Sequence, residues 1–233
     1  MEFENNFLDT NTKYKTQGKN KVFKIFVNVS LVSLGIICVS IVAFYSVFYQ
    51  VKVIGVSMKP TYNELLSKDD DPETSIYKDV VVVNRHYKGD NGNIIIIKRA
   101  TKTLIKRQIA KGGQTLTLKQ ILGENLYEFY LDGEKLNESY IGDNYFEMNN
   151  SYFSRFISLD GVVVSTNLDG TIQASLDIPD GYVFALGDNR GDSTDSLIYG
   201  PFSNESIAGT VVFSYKYNEN IIIGIGNLIF GKH

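Results

Sequence analysis

The strongest pattern along the chain is one unbroken apolar segment near its start. Residues 25–51 contain no charged side chain, and about 20 apolar residues suffice to cross a bilayer as a helix. A buried helix of a soluble protein would need apolar partners on every side. The segment therefore predicts a transmembrane anchor at residues 25–49, preceded by a tail at 1–24 and followed by a single domain at 50–233.

This anchor is predicted to stay uncleaved. A signal peptide has an apolar core of about 7 to 15 residues and ends in small residues, whereas this segment is longer and ends with Phe44, Tyr45, Phe48 and Tyr49. Residues 1–24 hold five lysines against three acidic residues, and positively charged flanks stay in the cytoplasm. We expect a single-pass cell-membrane protein in contact with lipid, with a cytoplasmic N-terminus and an extracytoplasmic domain.

After the anchor, short β-branched runs alternate with turn residues, which is typical of β-strands. Glycine-containing turns such as KGDNG at 88–92 and KGGQ at 111–114 separate them. No long 3.6-residue apolar period follows Lys52, so the predicted fold class is mostly β. The predicted strands are 80–83, 94–97, 104–109, 115–118, 126–131, 161–165, 182–186 and 210–215.

Three other segments receive weaker interpretations. Two polar segments, 66–75 and 147–154, lack apolar alternation and are predicted to be surface loops. The apolar segment 221–230 is too short to cross a bilayer. It fits either a last strand or a segment that lies on the membrane surface.

Charge and cysteine content exclude several kinds of site. The net charge is −3, and the 23 lysine and arginine residues form no basic stripe interleaved with aromatic residues, so we expect no nucleic-acid partner. Cys38 and two histidines supply no zinc ligand set, and we expect neither a metal nor a cofactor. His86, at a strand end, and His233, the last residue, are poor candidates for a serine–histidine pair.

A serine activated by a lysine is the remaining hydrolytic arrangement. Ser57 follows Gly55 and precedes Pro60, so the chain bends there and exposes a hydroxyl near backbone N–H groups. Lys106 lies between apolar neighbours in the predicted strand 104–109, where burial would lower the pKa of its amine. Taken singly, the two residues also fit an ordinary turn serine and an outward-facing strand lysine.

A third polar motif follows the predicted strand 182–186. It reads G-D-N-R-G-D-S-T-D-S over residues 187–196, after S-M-K-P-T at 57–61 and I-K-R at 105–107. In this order, behind an anchor, the three motifs resemble the bacterial type I signal peptidases, the leader peptidases of the serine–lysine type. The resemblance extends from about residue 49 to 215. It implies an antiparallel β ectodomain of the LexA/signal peptidase fold behind one transmembrane helix.

The resemblance also implies roles for individual residues. Ser57 matches the acylating serine, Lys106 the general base, and Ser193 the serine whose hydroxyl hydrogen-bonds the lysine amine. The oxyanion would be held by the Ser57 N–H. Some members have a serine at the position of Gly55, and its hydroxyl is a second donor to the oxyanion. Here the second donor would be the Gly55 backbone or a water. Five residues match the positions that line the family's substrate pockets, which admit small side chains: Val53, Ile54, Tyr62, Leu104 and Ile105.

The supporting residues follow in the same way. Asp188 is expected to pair with Arg107 and tie the third motif to the lysine strand, and Asp195 to support the walls of the site. Leu197 stands where many members carry an arginine. The salt bridge drawn from that arginine is then absent, so Asp195 is expected to be held differently.

The function implied is a membrane-bound serine endopeptidase that removes signal peptides from exported preproteins, cutting after Ala-x-Ala near the secretion translocon. Two alternatives stay open. A self-cleaving repressor-type protease is disfavoured by the anchor and by the absence of a DNA-binding segment. A scaffold that binds signal peptides or pilin-like proteins without cutting them is left possible by Leu197. A histidine-based relative is excluded, because Lys106 stands where its histidine would be.

Overall fold

The computed structural model describes residues 2–64, 79–141 and 148–216, and their side chains from residue 21 onward. The predicted strand or surface segment 221–230 lies outside these residues, as does the loop predicted at 66–75. The chain divides into two units between Val47 and Phe48.

The first unit is helix α1, which spans Glu2–Val47. Its portion Lys21–Val47 is long and apolar enough to cross a membrane. The helix ends two residues before the predicted boundary at 49, because Phe48 and Tyr49 pair with Asn84 and Val83 in a sheet. These two aromatic residues therefore belong to the following domain.

The second unit contains two antiparallel sheets. The strands of the first are β1 Phe48–Lys52, β2 Asp79–Asn84, β3 Ile94–Lys98, β4 Thr103–Lys111, β10 Tyr182–Leu186, β11 Phe202–Ser203 and β12 Ile207–Lys216. The strands of the second are β5 Thr115–Gln120, β6 Tyr127–Leu131, β7 Glu134–Lys135, β8 Val163–Thr166 and β9 Ile172–Asp177. Their orders are β1-β2-β12-β3-β4-β10-β11 and β7-β6-β5-β9-β8. The mostly β prediction is confirmed.

The loop predicted at 147–154 is wrong, because helix α2 spans Asn150–Ile157. The side chain of Asn149 accepts hydrogen bonds from the Ser151 and Tyr152 N–H groups and so caps the first turn. The helix buries three aromatic side chains in the core that it shares with the second sheet: Tyr152, Phe153 and Phe156. A helix of two turns is too short to show a clear period in the sequence.

Two features of this domain position the polar motifs. Strand β4 lies between β3 and β10, so its residues have a neighbouring strand on both sides. Strand β10 ends at Leu186 and leads directly into the third motif, where the short helix α3 spans Ser196–Tyr199. The serine motif lies in the turn that follows β1.

Candidate active site

The serine lies in the segment 53–63, which we call the nucleophile turn. Asn189 holds this turn from the third motif: its N–H donates to the Ser57 carbonyl at 3.1 Å, and its Nδ2 donates to the Val56 carbonyl at 3.1 Å. The Lys59 N–H also donates to the Val56 carbonyl. Since the N–H of a trans peptide points opposite to its C=O, the Ser57 N–H is directed away from Asn189.

Lys106 contacts the serine directly. Its Nζ lies 2.7 Å from Ser57 Oγ and donates to the Ile105 carbonyl at 2.8 Å. The residue is only 2% exposed, and burial lowers the pKa of its amine to about 8, although Asp195 and Asp188 raise it in opposition. At pH 7 about a tenth of such amines are neutral, against about one in three thousand at an ordinary lysine pKa. A neutral amine at this distance can accept the hydroxyl proton.

Ser193 does not make the expected hydrogen bond to Lys106. Its Oγ is buried and finds no hydrogen-bond partner among the residues that the structure describes. The side chain packs instead against Gly187, where an added Cβ would collide with Ser193 Oγ and with the Ser57 carbonyl oxygen. Glycine at 187 therefore allows the third motif to approach the nucleophile turn.

Arg107 and Asp188 form the expected ion pair. Arg107 Nε donates to Asp188 Oδ1 at 2.9 Å and Nη2 donates to Oδ2 at 2.6 Å. The Asp188 carboxylate is completely buried, and Thr61 Oγ1 donates to its Oδ2 at 2.5 Å. This bidentate pair joins the lysine strand, the third motif and the nucleophile turn.

Asp195 is held by backbone groups. Its Oδ2 accepts from the Gly187 N–H at 3.0 Å and its Oδ1 from the Leu197 N–H at 3.1 Å, which caps α3. The side chain of Leu197 packs into the core. Ser196 Oγ accepts from the Ala185 N–H at 2.9 Å. The carboxylate therefore fixes the path of the chain from β10 into α3.

A second buried ion pair, between Arg190 and Glu138, lies beside the first. Sequence reasoning missed Glu138 and its neighbour Tyr140. Arg190 is 2% exposed, pairs through both terminal nitrogens with Glu138, and donates from Nε to the Gly187 carbonyl. Tyr140 donates its hydroxyl to Glu138 at 2.9 Å, and its ring centroid lies 3.9 Å from the Arg107 guanidinium carbon. Glu138 and Tyr140 occupy a polar segment whose sequence resembles an ordinary surface loop.

Comparison with known proteins identifies the family. The family described as "Signal peptidase, peptidase S26" matches residues 26–216. The chain belongs to this family. Signal peptidase I S of Bacillus subtilis (strain 168) is 30% identical over 132 residues, which cover 56% of this chain and 61% of that protein. Signal peptidase I of Bacillus licheniformis is 29% identical over 171 residues, 72% of this chain and 76% of that protein.

A third relative extends the match over more of the chain. Signal peptidase I of Streptococcus pneumoniae (strain ATCC BAA-255 / R6) is 26% identical over 198 residues, 79% of this chain and 89% of that protein. The family inferred from the three motifs is therefore confirmed. The chain spans about three fifths of the length of the Bacillus subtilis relative.

The pocket positions expected for a signal peptidase are not all brought together. Val53, Tyr62 and Ile105 pack in one apolar cluster. Leu104 belongs to another cluster, because successive side chains of a strand point to opposite faces. Ile54 is 53% exposed. Of the five positions, Ile54 is therefore the most open to a substrate.

Proposed function

We propose that this chain is a membrane-anchored serine endopeptidase that removes N-terminal signal peptides from exported preproteins. The observation that carries the proposal is the contact of 2.7 Å between Lys106 Nζ and Ser57 Oγ. Burial lowers the pKa of this amine to about 8, so it can act as a general base near neutral pH. Membership of the signal peptidase family supports the same reaction.

In the proposed mechanism, neutral Lys106 accepts the Ser57 proton while Ser57 Oγ attacks the scissile carbonyl carbon. The Ser57 N–H, directed away from Asn189, binds the oxyanion, with a further donor from the Gly55 backbone or a water. The C–N bond then breaks as Lys106 gives its proton to the leaving amine. Lys106 next accepts a proton from water, which attacks the acyl-enzyme ester. The ester C–O bond then breaks, and Lys106 returns the proton to Ser57 Oγ.

The substrate is proposed to bind as an extended strand with small residues at the first and third positions before the cut, as in Ala-x-Ala. Apolar walls would exclude larger side chains, with Ile54 and Ile105 as the contact positions and Val53 and Tyr62 behind them. Leu104 lies in the cluster on the opposite face of β4. Arg107, Asp188 and Asp195 serve as supporting residues: they hold the segments that carry the dyad. No cofactor takes part.

The proposed location is the cell membrane, with the N-terminus in the cytoplasm and the catalytic domain outside. The lysine-rich flank at 1–24 favours this orientation, and helix α1 supplies a segment long enough to cross. Membrane lipid and the nearby secretion translocon are the proposed partners, since preproteins emerge there with their signal helices in the bilayer.

The test is cleavage of a preprotein that carries an Ala-x-Ala site. The purified full chain, Ser57→Ala and Lys106→Ala are each incubated with it in liposomes, and the products are mapped by mass spectrometry. We expect one cut after the second alanine by the unaltered chain and none by either variant. Binding without cutting by folded, unaltered protein would contradict the proposal and favour the scaffold alternative.

A further inference from the structure

We propose that Asn63 is a positioning residue that prepares the nucleophile turn to bind the substrate backbone. The inference rests on the proposed function, because it concerns the same substrate. Asn63 touches neither Ser57 nor Lys106 in the hydrogen bonds that the structure describes. It acts through the peptide groups that precede the serine.

The Asn63 carboxamide joins two carbonyls of the turn. Its Nδ2 donates to the Val53 carbonyl at 2.8 Å and to the Gly55 carbonyl at 3.1 Å. The side chain is completely buried, and its Oδ1 has no hydrogen-bond partner among the described residues. The opposite amide orientation would direct Oδ1 at two carbonyl oxygens, so the NH2 group must face them.

The backbone of Asn63 is fixed as firmly as its side chain. Its N–H donates to the carboxylate of Asp79 at 2.7 Å, and Lys216 donates to the other oxygen of that carboxylate at 2.9 Å. Asn63 has a φ of 56°, a left-handed conformation that asparagine adopts more readily than most residues. The Asp79 carbonyl also accepts from the Val53 N–H. Both ends of the nucleophile turn are thus tied to the start of β2.

These contacts determine which backbone donors face outward. In a trans peptide the N–H points opposite to the C=O. Because Asn63 draws the Val53 and Gly55 carbonyls inward, the N–H groups of Ile54 and Val56 point the other way. In the part of the chain that the structure describes, neither N–H donates a hydrogen bond. Two N–H groups that lie two residues apart and both point away from Asn63 suit the carbonyls of an added peptide strand.

The test compares Asn63→Gly with the unaltered full chain on a peptide substrate with an Ala-x-Ala site. Glycine keeps the left-handed backbone and removes the carboxamide. We expect kcat/KM to fall about 10- to 100-fold, because one or two substrate hydrogen bonds are lost at about tenfold each. The inflection of the pH profile should stay near that of the unaltered chain, because Lys106 keeps its surroundings.

A substrate series separates positioning from general damage. In each peptide one carbonyl, at the second or third residue before the cut, is replaced by a thiocarbonyl, which is a weaker hydrogen-bond acceptor. Cleavage by the unaltered chain should slow severalfold when the thiocarbonyl replaces a carbonyl that accepts from the Ile54 or Val56 N–H. Cleavage by Asn63→Gly should not slow further at these positions. Equal sensitivity in both proteins, or equal kcat/KM on the unmodified peptide, would overturn the role of Asn63.

Asp132→Gly is the matched control. Asp132 also has a left-handed backbone, with φ 51°, and its carboxylate accepts from the Thr115 N–H in a turn of the second sheet. Asp132→Gly removes a hydrogen-bonding side chain at a left-handed position outside the site, so it should keep its activity. If Asn63→Gly does not fold, Asn63→Asp retains the shape and has at most one donor, the O–H of a neutral carboxyl, so it should keep the sensitivity at no more than one of the two positions. Failure of the unaltered chain to cut at all would refute the proposed function instead.

Discussion

At the scale of single residues, Lys106 shows the conflict between stability and the proposed chemistry. Burial of its ammonium form lowers the stability of the fold, yet the same burial lowers the pKa of the amine to about 8, close to neutral pH. A carboxylate in direct contact would restore the ordinary pKa. The structure places Asp188 and Asp195 close enough to raise this pKa in part, but commits their oxygens to Arg107, Thr61 and backbone N–H groups.

The first prediction concerns the pH dependence of cleavage. The base form of Lys106 is the neutral amine, so kcat/KM should rise with pH through an inflection near pH 8, the value to which burial lowers this pKa. The measurement is the initial rate on a peptide substrate between pH 6 and pH 10. A rate that stays constant over this range, or that falls as pH rises through 8, would contradict the role of Lys106.

The second prediction is that Lys106→Met abolishes cleavage and stabilises the fold. The pKa of Lys106 is about 8 in the folded chain, below the ordinary lysine value of 10.5, so the unfolded chain binds more protons between these values. The stability of the unaltered chain should therefore rise across that window. Below pH 8 the burial penalty is fully present, and its removal should add about 3 kcal/mol to the free energy of unfolding.

Urea unfolding of both proteins at pH 7 and at pH 10.5 tests this prediction. The advantage of Lys106→Met should shrink at the higher pH, where the amine is neutral in the folded chain and about half neutral in the unfolded chain. Lys98→Met, at an exposed position of β3, is the control and should change little. A destabilised Lys106→Met at pH 7 would show that its contacts outweigh the penalty of burial.

The sequence predicts the dyad because three motifs in a fixed order resemble those of one family, although the turn serine and the strand lysine would each be ordinary if taken singly. It cannot predict Asn63 or Glu138. Asn63 acts through carbonyls eight and ten residues earlier in the chain, and Glu138 through an arginine 52 residues later. Such contacts depend on how the chain folds back, and the residues themselves look like ordinary turn and surface positions.

At the scale of elements, each of the eight predicted strands overlaps an observed strand, because short runs rich in β-branched and aromatic residues and bounded by turn residues favour strands. The four strands that were not predicted are β1, β7, β9 and β11. The sequence of β9, I-Q-A-S-L-D, combines small and polar residues with few β-branched ones. Its inward positions Ala174 and Leu176 are nevertheless buried. The sequence also did not predict the ion pair between Arg190 and Glu138, which connects the segment after β10 to the segment after β7.

The third prediction tests that tie. Glu138→Gln leaves the Arg190 guanidinium buried without its counter-charge, and breaking such a pair on one side costs about 3 to 5 kcal/mol. The measurement is the free energy of unfolding in urea. Glu128→Gln is the matched control, because Glu128 pairs with Lys135 at an exposed position and should cost less than about 1 kcal/mol. Equal effects of the two changes would contradict a structural role for Glu138.

At the scale of the whole molecule, the proposed function depends on the anchor as much as on the dyad. A signal peptide still in the bilayer reaches a membrane-bound enzyme by diffusion in two dimensions. The anchor must then hold the domain on the side where preproteins emerge. The lysine-rich flank at 1–24 favours a cytoplasmic N-terminus.

The last prediction tests this orientation by cysteine labelling. In a Cys38→Ser background, which removes the single native cysteine, one cysteine is introduced by Lys19→Cys or by His86→Cys. His86 is exposed in the domain, so a membrane-impermeant maleimide should label His86→Cys on intact wall-free cells. Lys19→Cys should react only after the membrane is permeabilised. The reverse pattern would place the catalytic domain in the cytoplasm, where a signal peptidase could not meet the translocated side of its substrates.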